Sequence, residues 1–391
     1  MLVPAEIFPW AFVYSIVKGV KSLPAAMWIC LLASLALVGV SLVRGVPLIA
    51  VLGSYGSVLN VVFIFAILCH IRHEELKRVS LSAKWIMLLL VCVGLLQLMG
   101  FWSSIDGVTQ YAIPRGGAEK MGAGGRGVSL LDTEPSRAGV NFLFLYIVFR
   151  IAGKKRHSFK SMLFDLTAFF FITVVTRSAM AVSIAALYFA IEYLSVKRSW
   201  IYPALLVAVF LVFYNLFDLK DIRALNILTQ AAAQTNLDDA WAFLVSQSGF
   251  RFVSVVGAYE WAWRHWFGGG FGTWPYVSVD SLELTGLQAA DLGFFRYWHD
   301  GEYVALKPTA FMALIALEHG LVGLLLMAGW LFAKLKKMNA FSKNCRAATL
   351  TAIFTIFFAG SVGNPVPWIV LAVVPRLSAF QASSCDKLRG G

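Results

Sequence analysis

Charge is scarce in this chain. Asp, Glu, Lys and Arg together supply 14% of its 391 residues, whereas 59% are hydrophobic. Soluble domains carry roughly a quarter charged residues, so this composition excludes an ordinary soluble fold, and the mean hydropathy of +0.74 agrees. The apolar runs are long rather than short and alternating, which favours membrane helices over a β-barrel. Cysteine is scarce too. Cys30 and Cys92 fall inside apolar runs, and Cys69, Cys345 and Cys385 at ends that read as cytoplasmic, so no disulfide framework is expected. The histidines lack metal-ligand spacing: His70 and His73 lie far from His265, His299 and His319, and nothing matches HExxH. The run Gly268-Gly269-Gly270-Phe271-Gly272 is not followed by GK[ST], so it is no Walker loop. No metal site and no cofactor are expected. Acids are outnumbered by bases, 21 against 33. The bases fall mostly in short loops between apolar runs, so no nucleic-acid partner is expected.

What is present is a series of apolar segments, each close to the roughly 20 residues that a membrane crossing needs. Val3 to Val17 is marginal and Ala25 to Val43 is a good span. Val46 to Leu68 follows, interrupted by Gly53, Gly56 and Asn60, and then Trp85 to Trp102. Ala138 to Ile151 is short and extends if Arg150 snorkels. Met162 to Thr176 and Ala179 to Leu194 form a tight pair around Thr176-Arg177-Ser178. Ile201 to Phe217, Phe311 to Phe332, Ala348 to Val362 and Trp368 to Phe380 complete the set. The expectation is an all-α polytopic membrane protein of ten or eleven helices. It divides into N-terminal transmembrane helices over 1–217, a large outer segment over 218–307, and C-terminal transmembrane helices with a short tail over 308–391. No basic region precedes the first apolar stretch in MLVPAEIFPW, so the membrane segments themselves are expected to direct insertion.

Lys and Arg in short loops set orientation. Arg72, Lys77, Arg78 and Lys84 lie in one loop, and Arg150, Lys154, Lys155, Arg156 and Lys160 surround a second. Lys197 and Arg198 mark a third, Lys334, Lys336, Lys337, Lys343 and Arg346 a fourth, and Lys387 and Arg389 end the chain. All fall on one side of the predicted spans, which reads as cytoplasmic. Residues 103–137, Arg177 and residues 218–307 are then outer.

The outer arginines stand against this rule. Arg177 sits in a short turn at membrane level, where an Arg pairs with an acid, a carbonyl or a lipid phosphate. The loop 103–137 carries Arg115, Lys120, Arg126 and Arg137 beside Asp132 and Glu134. Its glycines (Gly116, Gly117, Gly122, Gly124, Gly125, Gly127) read as a mobile flap. In the large segment, Phe252, Val255, Val256, Tyr259, Ala262, Trp263 and Trp266 recur at helical spacing, which predicts an amphipathic helix ended by Gly268-Gly269-Gly270. Arg251 falls in its first turn, either as an anion-binding group beside free N–H groups or as a solvated Arg at the edge of an apolar face.

Four blocks carry a resemblance. GRGVSLLDTEPSRAG (125–139) resembles the R-x-x-G-x-x-x-EPS stretch of bacterial O-antigen and capsule repeat-unit polymerases (Wzy type), through Arg126 and Glu134-Pro135-Ser136. TRSAMA around Arg177 is similar to their T-x-S-R/K-S turn, with the Arg displaced by one residue. SGFRFVSVVGAYEWAWRHWFGGGFGTW (248–274) resembles the R-x-x-x-W…G-x-G segment of the wider polymerase and ligase superfamily. KPTAFMALIALEHGLVGLLL (307–326) resembles its helix with an acid followed by G-x-x-G, through Glu318, Gly320 and Gly323. Ligases of the superfamily carry a His pair before that helix. Here the place reads Lys307-Pro308-Thr309-Ala310, which favours a polymerase, although His299 lies nearby.

The resemblance implies a metal-independent glycosyltransferase of GT-C type in the bacterial inner membrane, with its site on the periplasmic face. Its implied partners are undecaprenyl-pyrophosphate-linked oligosaccharides as donor and acceptor, membrane lipid, and a chain-length regulator. Arg126, Arg177, Arg251, Arg264 and Lys307 are the implied pyrophosphate and glycan contacts, because guanidinium forks match phosphate oxygens. Glu134 is the first candidate for the base and His299 the second. Glu318 reads as a packing acid paired to an Arg. Trp261, Trp263, Trp266, Trp274 and Tyr276 read as sugar-stacking, core or interface residues. The alternatives are an O-antigen ligase and, in another class, a lipid-linked oligosaccharide flippase. A flippase is expected to line a central path with charge, and these predicted spans are nearly free of it.

Overall fold

The structure, a computed structural model, describes residues 35, 38–69, 73–101, 127–132, 134–152, 159–194, 230, 233–236, 239–240, 243, 250–286, 307–343, 345–360 and 362–389. Among them there is no β-strand. The helices are α1 (Leu48–Leu68), α2 (His73–Leu98), α3 (Pro135–Ala152), α4 (Phe159–Phe170, continued by a wider π turn over Phe171–Thr176) and α5 (Ala179–Leu194). They continue with α6 (Phe250–Arg264), α7 (Trp274–Glu283), α8 (Phe311–Lys337), α9 (Arg346–Phe354, with a π turn over Thr355–Ala359) and α10 (Val366–Arg389). Helix α1, the Leu81–Leu98 part of α2, and α8 are long and apolar enough to cross a membrane. Leu163–Thr176, Met180–Glu192, Arg346–Ala359 and Val366–Phe380 are shorter apolar segments. The chain is therefore an all-α protein of membrane type. The predicted spans Val3 to Val17 and Ile201 to Phe217, and most of Ala25 to Val43, lie outside the described residues.

Helix α3 is the hub. It packs against α2, α5 and α10, and every residue from Ala138 to Val148 is buried. An all-round apolar helix needs partners on every side, and α3 has them. Trp368 of α10 is fully buried, with the rings of Phe65 and Phe311 edge-on at 5.6 and 4.9 Å.

Two expectations change here. Arg150 does not snorkel. It is buried between α3, α4 and α5, ion-paired to Asp165 and Glu192 at 2.9 Å each, and it donates to the Tyr188 hydroxyl at 3.0 Å. The Tyr146 hydroxyl in turn donates to Asp165. Two facing acids hold the guanidinium inside the bundle, where a low dielectric strengthens their attraction. The helices are thus less free of charge than the sequence suggests. Lys77, Arg78 and Lys84 were expected in a loop, yet they sit on the N-terminal turns of α2, which starts at His73.

Helix α8 is broken at Gly320, whose φ of 67° and ψ of −167° are far from helical. The break is closed by the chain that follows α6. The Leu321 N–H donates to the His265 carbonyl at 3.2 Å and the Val322 N–H to the Trp266 carbonyl at 3.1 Å, while the Gly270 N–H donates to the Glu318 carbonyl at 2.8 Å. Backbone groups freed by the break thereby find partners, as an apolar setting demands. Arg44 ties the same chain to the start of α1, donating to the carbonyls of Gly268 (3.3 Å) and Gly269 (3.0 Å).

Helix α6 lies against both α7 and α8. Its buried side is Val253, Ser254, Val255, Gly257, Ala258 and Ala262, small enough for close approach. Trp263 and Trp266 were expected on the apolar face, yet they are 73% and 65% exposed. Neighbours on two sides, rather than one, select the small residues for burial and leave the indoles outside. The helix ends at Arg264, before the glycine run.

Candidate functional site

The first turn of α6 meets the start of α3. The Arg251 guanidinium forms an ion pair with Glu134, and its Nη1 donates to Ser136 Oγ at 2.8 Å. The Ser136 hydroxyl donates to the same Glu134 carboxylate at 3.2 Å. Glu134 also begins α3: its main-chain carbonyl accepts from the N–H groups of Arg137 (3.1 Å) and Ala138 (3.0 Å). A carboxylate there is favoured by the helix dipole. Burial pushes the Glu134 carboxyl up, but the nearby Arg251 and Arg137 and the hydrogen bonds from Arg251 and Ser136 outweigh it, so the group is held below the usual carboxylate range. Both side chains remain reachable, at 34% exposure for Arg251 and 26% for Glu134.

The third part of the site precedes α8. The Thr309 hydroxyl donates to the Arg251 carbonyl at 3.3 Å. Two residues before it, Lys307 is partly buried, and burial pulls its ammonium below the usual lysine range against the opposing charge of Glu318. Glu318 is fully buried. Among the described residues no Arg pairs with it, where one was expected. It accepts from the Ser54 hydroxyl and, at 2.8 Å, from the Gly272 N–H, and so joins α8, α1 and the glycine run.

The described part of the loop leading into α3, residues 127–132, is docked, whereas the stretch from Gly116 to Gly125 that reads as a mobile flap lies outside the described residues. The Val128 N–H donates to the Val175 carbonyl at 3.0 Å. Gln97 bonds Leu130 twice, donating to its carbonyl at 2.7 Å and accepting from its N–H at 2.9 Å. Buried Asp132 accepts from Asn141 at 2.9 Å, and Asn141 accepts from Asn364 at 2.6 Å. This amide chain runs from the loop through α3 to the start of α10.

Other expected site residues make none of these contacts. Arg177 is exposed in the α4–α5 turn with φ 46°, and its Nε donates to the Val174 carbonyl at 3.3 Å. Arg264 is exposed at the far end of α6, about 20 Å from Arg251 at the helical rise per residue. Arg126 and His299 lie outside the described residues. Trp274 packs on the buried cluster of Val255, Ala258, Ala310, Ala313 and Leu317, Trp261 stacks on His265 at 3.6 Å, and Tyr276 is exposed. Ser54, Arg44, Gln97, Asn141 and Asn364 were not singled out as site residues. A polar residue inside or beside an apolar run was the only signal for them.

The fold and the site define an all-α protein of membrane type in which an arginine, a carboxylate and two hydroxyls converge where three segments meet. Comparison of the chain with protein-family models, with curated proteins and with solved structures found no match in any of the three.

Proposed function

We propose that this chain is a metal-independent GT-C-type glycosyltransferase of the bacterial inner membrane. It polymerises undecaprenyl-pyrophosphate-linked oligosaccharide repeat units into O-antigen or a similar surface polysaccharide on the periplasmic face. One observation carries the reading. Arg251 contacts Glu134 and Ser136 across 117 and 115 positions of sequence, and Thr309 contacts Arg251. Three of the four blocks that resemble the polymerases thus meet at Arg251, the 125–139 block through its guanidinium and the 307–326 block through its main-chain carbonyl. The fourth abuts the first: Gly127 and Gly139 lie against Thr176.

The reaction asks for what these residues supply. The acceptor hydroxyl oxygen bonds to the anomeric carbon of the donor while the bond from that carbon to the pyrophosphate oxygen breaks. Negative charge grows on the pyrophosphate, and preorganised cations lower that barrier most. Arg251 is the central cation, with Lys307, two residues before Thr309, and Arg126 and Arg177 as further contacts; Arg264, about 20 Å along α6 from Arg251, is too far to share the same phosphate. The proton of the acceptor hydroxyl passes to a carboxylate or imidazole, Glu134 or His299.

The test is surface-glycan banding in a deletion strain. Loss of the ladder to a single capped repeat unit, restored by wild type and not by Arg251→Ala, supports the polymerase. Bare core with long glycan left on the lipid carrier indicates a ligase instead. The flippase reading gains from the buried Arg150 and Asp165 and the partly buried Glu192. It predicts unpolymerised units held on the cytoplasmic face.

A further inference from the structure

A base and an anion-binding cation share one ion pair in this site. Arg251 and Ser136 both direct hydrogen-bond donors at the Glu134 carboxylate. A carboxylate and a phosphate present the same chemistry to a guanidinium fork, paired oxygens bearing negative charge. We infer that the Glu134 carboxylate is an internal competitor for the anion site of Arg251 and Ser136, and that a phosphate entering this site displaces Glu134 and releases it to take a proton. The inference rests on the proposed function for the identity of the phosphate, as part of a lipid-linked pyrophosphate.

Three features support the exchange. The pair is partly open to solvent, so a ligand can reach the guanidinium. Among the described residues, the charges that act on Glu134 include Arg251 from α6 and Arg137 from α3, both cations, and both suit a dianion better than a single carboxylate. The scaffold can also stay in place during exchange. The Arg251 backbone is held by Thr309, and Glu134 holds α3 through its main-chain carbonyl, so only side chains need to turn.

The exchange resolves a conflict in the chemistry. While bound to Arg251, Glu134 is held below the usual carboxylate range and is a weak base. Once the guanidinium turns to phosphate, that restraint is lost and a neighbouring anion pushes the carboxyl up, which makes it a better acceptor for the hydroxyl proton. The substrate therefore switches on the base that acts upon it.

The test is calorimetric titration of the full-length protein in lipid nanodiscs with inorganic pyrophosphate. Glu134→Gln removes the competing charge and is expected to bind pyrophosphate about tenfold more tightly, the factor that a lost 1.4 kcal/mol competitor gives. Glu134→Asp keeps a charge at the start of α3 but withdraws it from Arg251, and is expected to shift affinity the same way by less. Arg251→Ala is expected to abolish this binding. Affinity that is unchanged or weaker in both Glu134 variants overturns the exchange, as does tight binding that survives Arg251→Ala. The glycan-banding assay reads the polymerase proposal separately, so either can fail alone.

Discussion

Gly268 lies directly against the carbonyl oxygen of Glu318, and Gly320 lies against the carbonyl of His265. A side-chain carbon at either place would overlap backbone. The two glycines let the chain after α6 enter the break in α8 closely enough for three main-chain hydrogen bonds.

Gly320→Ala is therefore expected to destabilise the fold. Its positive φ alone costs a non-glycine residue about 1–3 kcal/mol, and displacement of the His265 carbonyl adds to that. Gly53→Ala in α1 is the control, since nothing lies within 4 Å of the position and alanine favours helix. Melting temperatures in detergent should fall for Gly320→Ala and Gly268→Ala and hold or rise for Gly53→Ala.

Arg150→Ala leaves the buried Asp165 and the partly buried Glu192 without their guanidinium. Breaking a buried pair from one side costs about 3–5 kcal/mol. A large loss of thermal stability is expected, with partial recovery when Asp165→Asn is added, because the second change removes one stranded charge. Full-length protein yield and melting temperature of the single and double variants measure this.

Gln97→Ala removes both hydrogen bonds to the buried main chain of Leu130. An unsatisfied buried group costs about 1–3 kcal/mol, and the loop over 127–132 is expected to loosen. Hydrogen exchange at the Leu130 amide should quicken sharply, while exchange in the middle of α3 stays slow.

The Arg251–Glu134 pair carries a definite pH signature. The folded protein holds the Glu134 carboxyl below its ordinary range, so the unfolded chain binds more protons and stability from this pair rises with pH. That contribution is complete above the ordinary carboxylate range and is lost as pH falls through the lowered folded value. The melting difference between wild type and Glu134→Gln should be constant near neutrality and vanish on strong acidification.

Periodicity and length revealed much of this arrangement in the sequence. The turn at Thr176-Arg177-Ser178 falls where the apolar runs place it, and α6 covers the predicted helical pattern as far as Trp263, stopping before Trp266, with Arg251 in its first turn. The break at Gly320 was not legible, because Phe311 to Phe332 reads as one apolar run and only a partner segment reveals the gap. The pairing of Arg251 with Glu134 was not legible either. Each residue was singled out, but their contact depends on the first turn of α6 meeting the start of α3, which no local pattern encodes. Arg150 was misjudged for the same reason, since Asp165 and Glu192 lie on other helices.

The most direct measurement is reconstitution of the purified protein in proteoliposomes with synthetic undecaprenyl-pyrophosphate-linked repeat units. Wild type is expected to yield a ladder of carrier-linked glycans without added metal, with release of undecaprenyl pyrophosphate in step with each linkage, and folded Arg251→Ala to yield no ladder. Substrate left at a single repeat unit by folded wild-type protein would contradict the polymerase proposal.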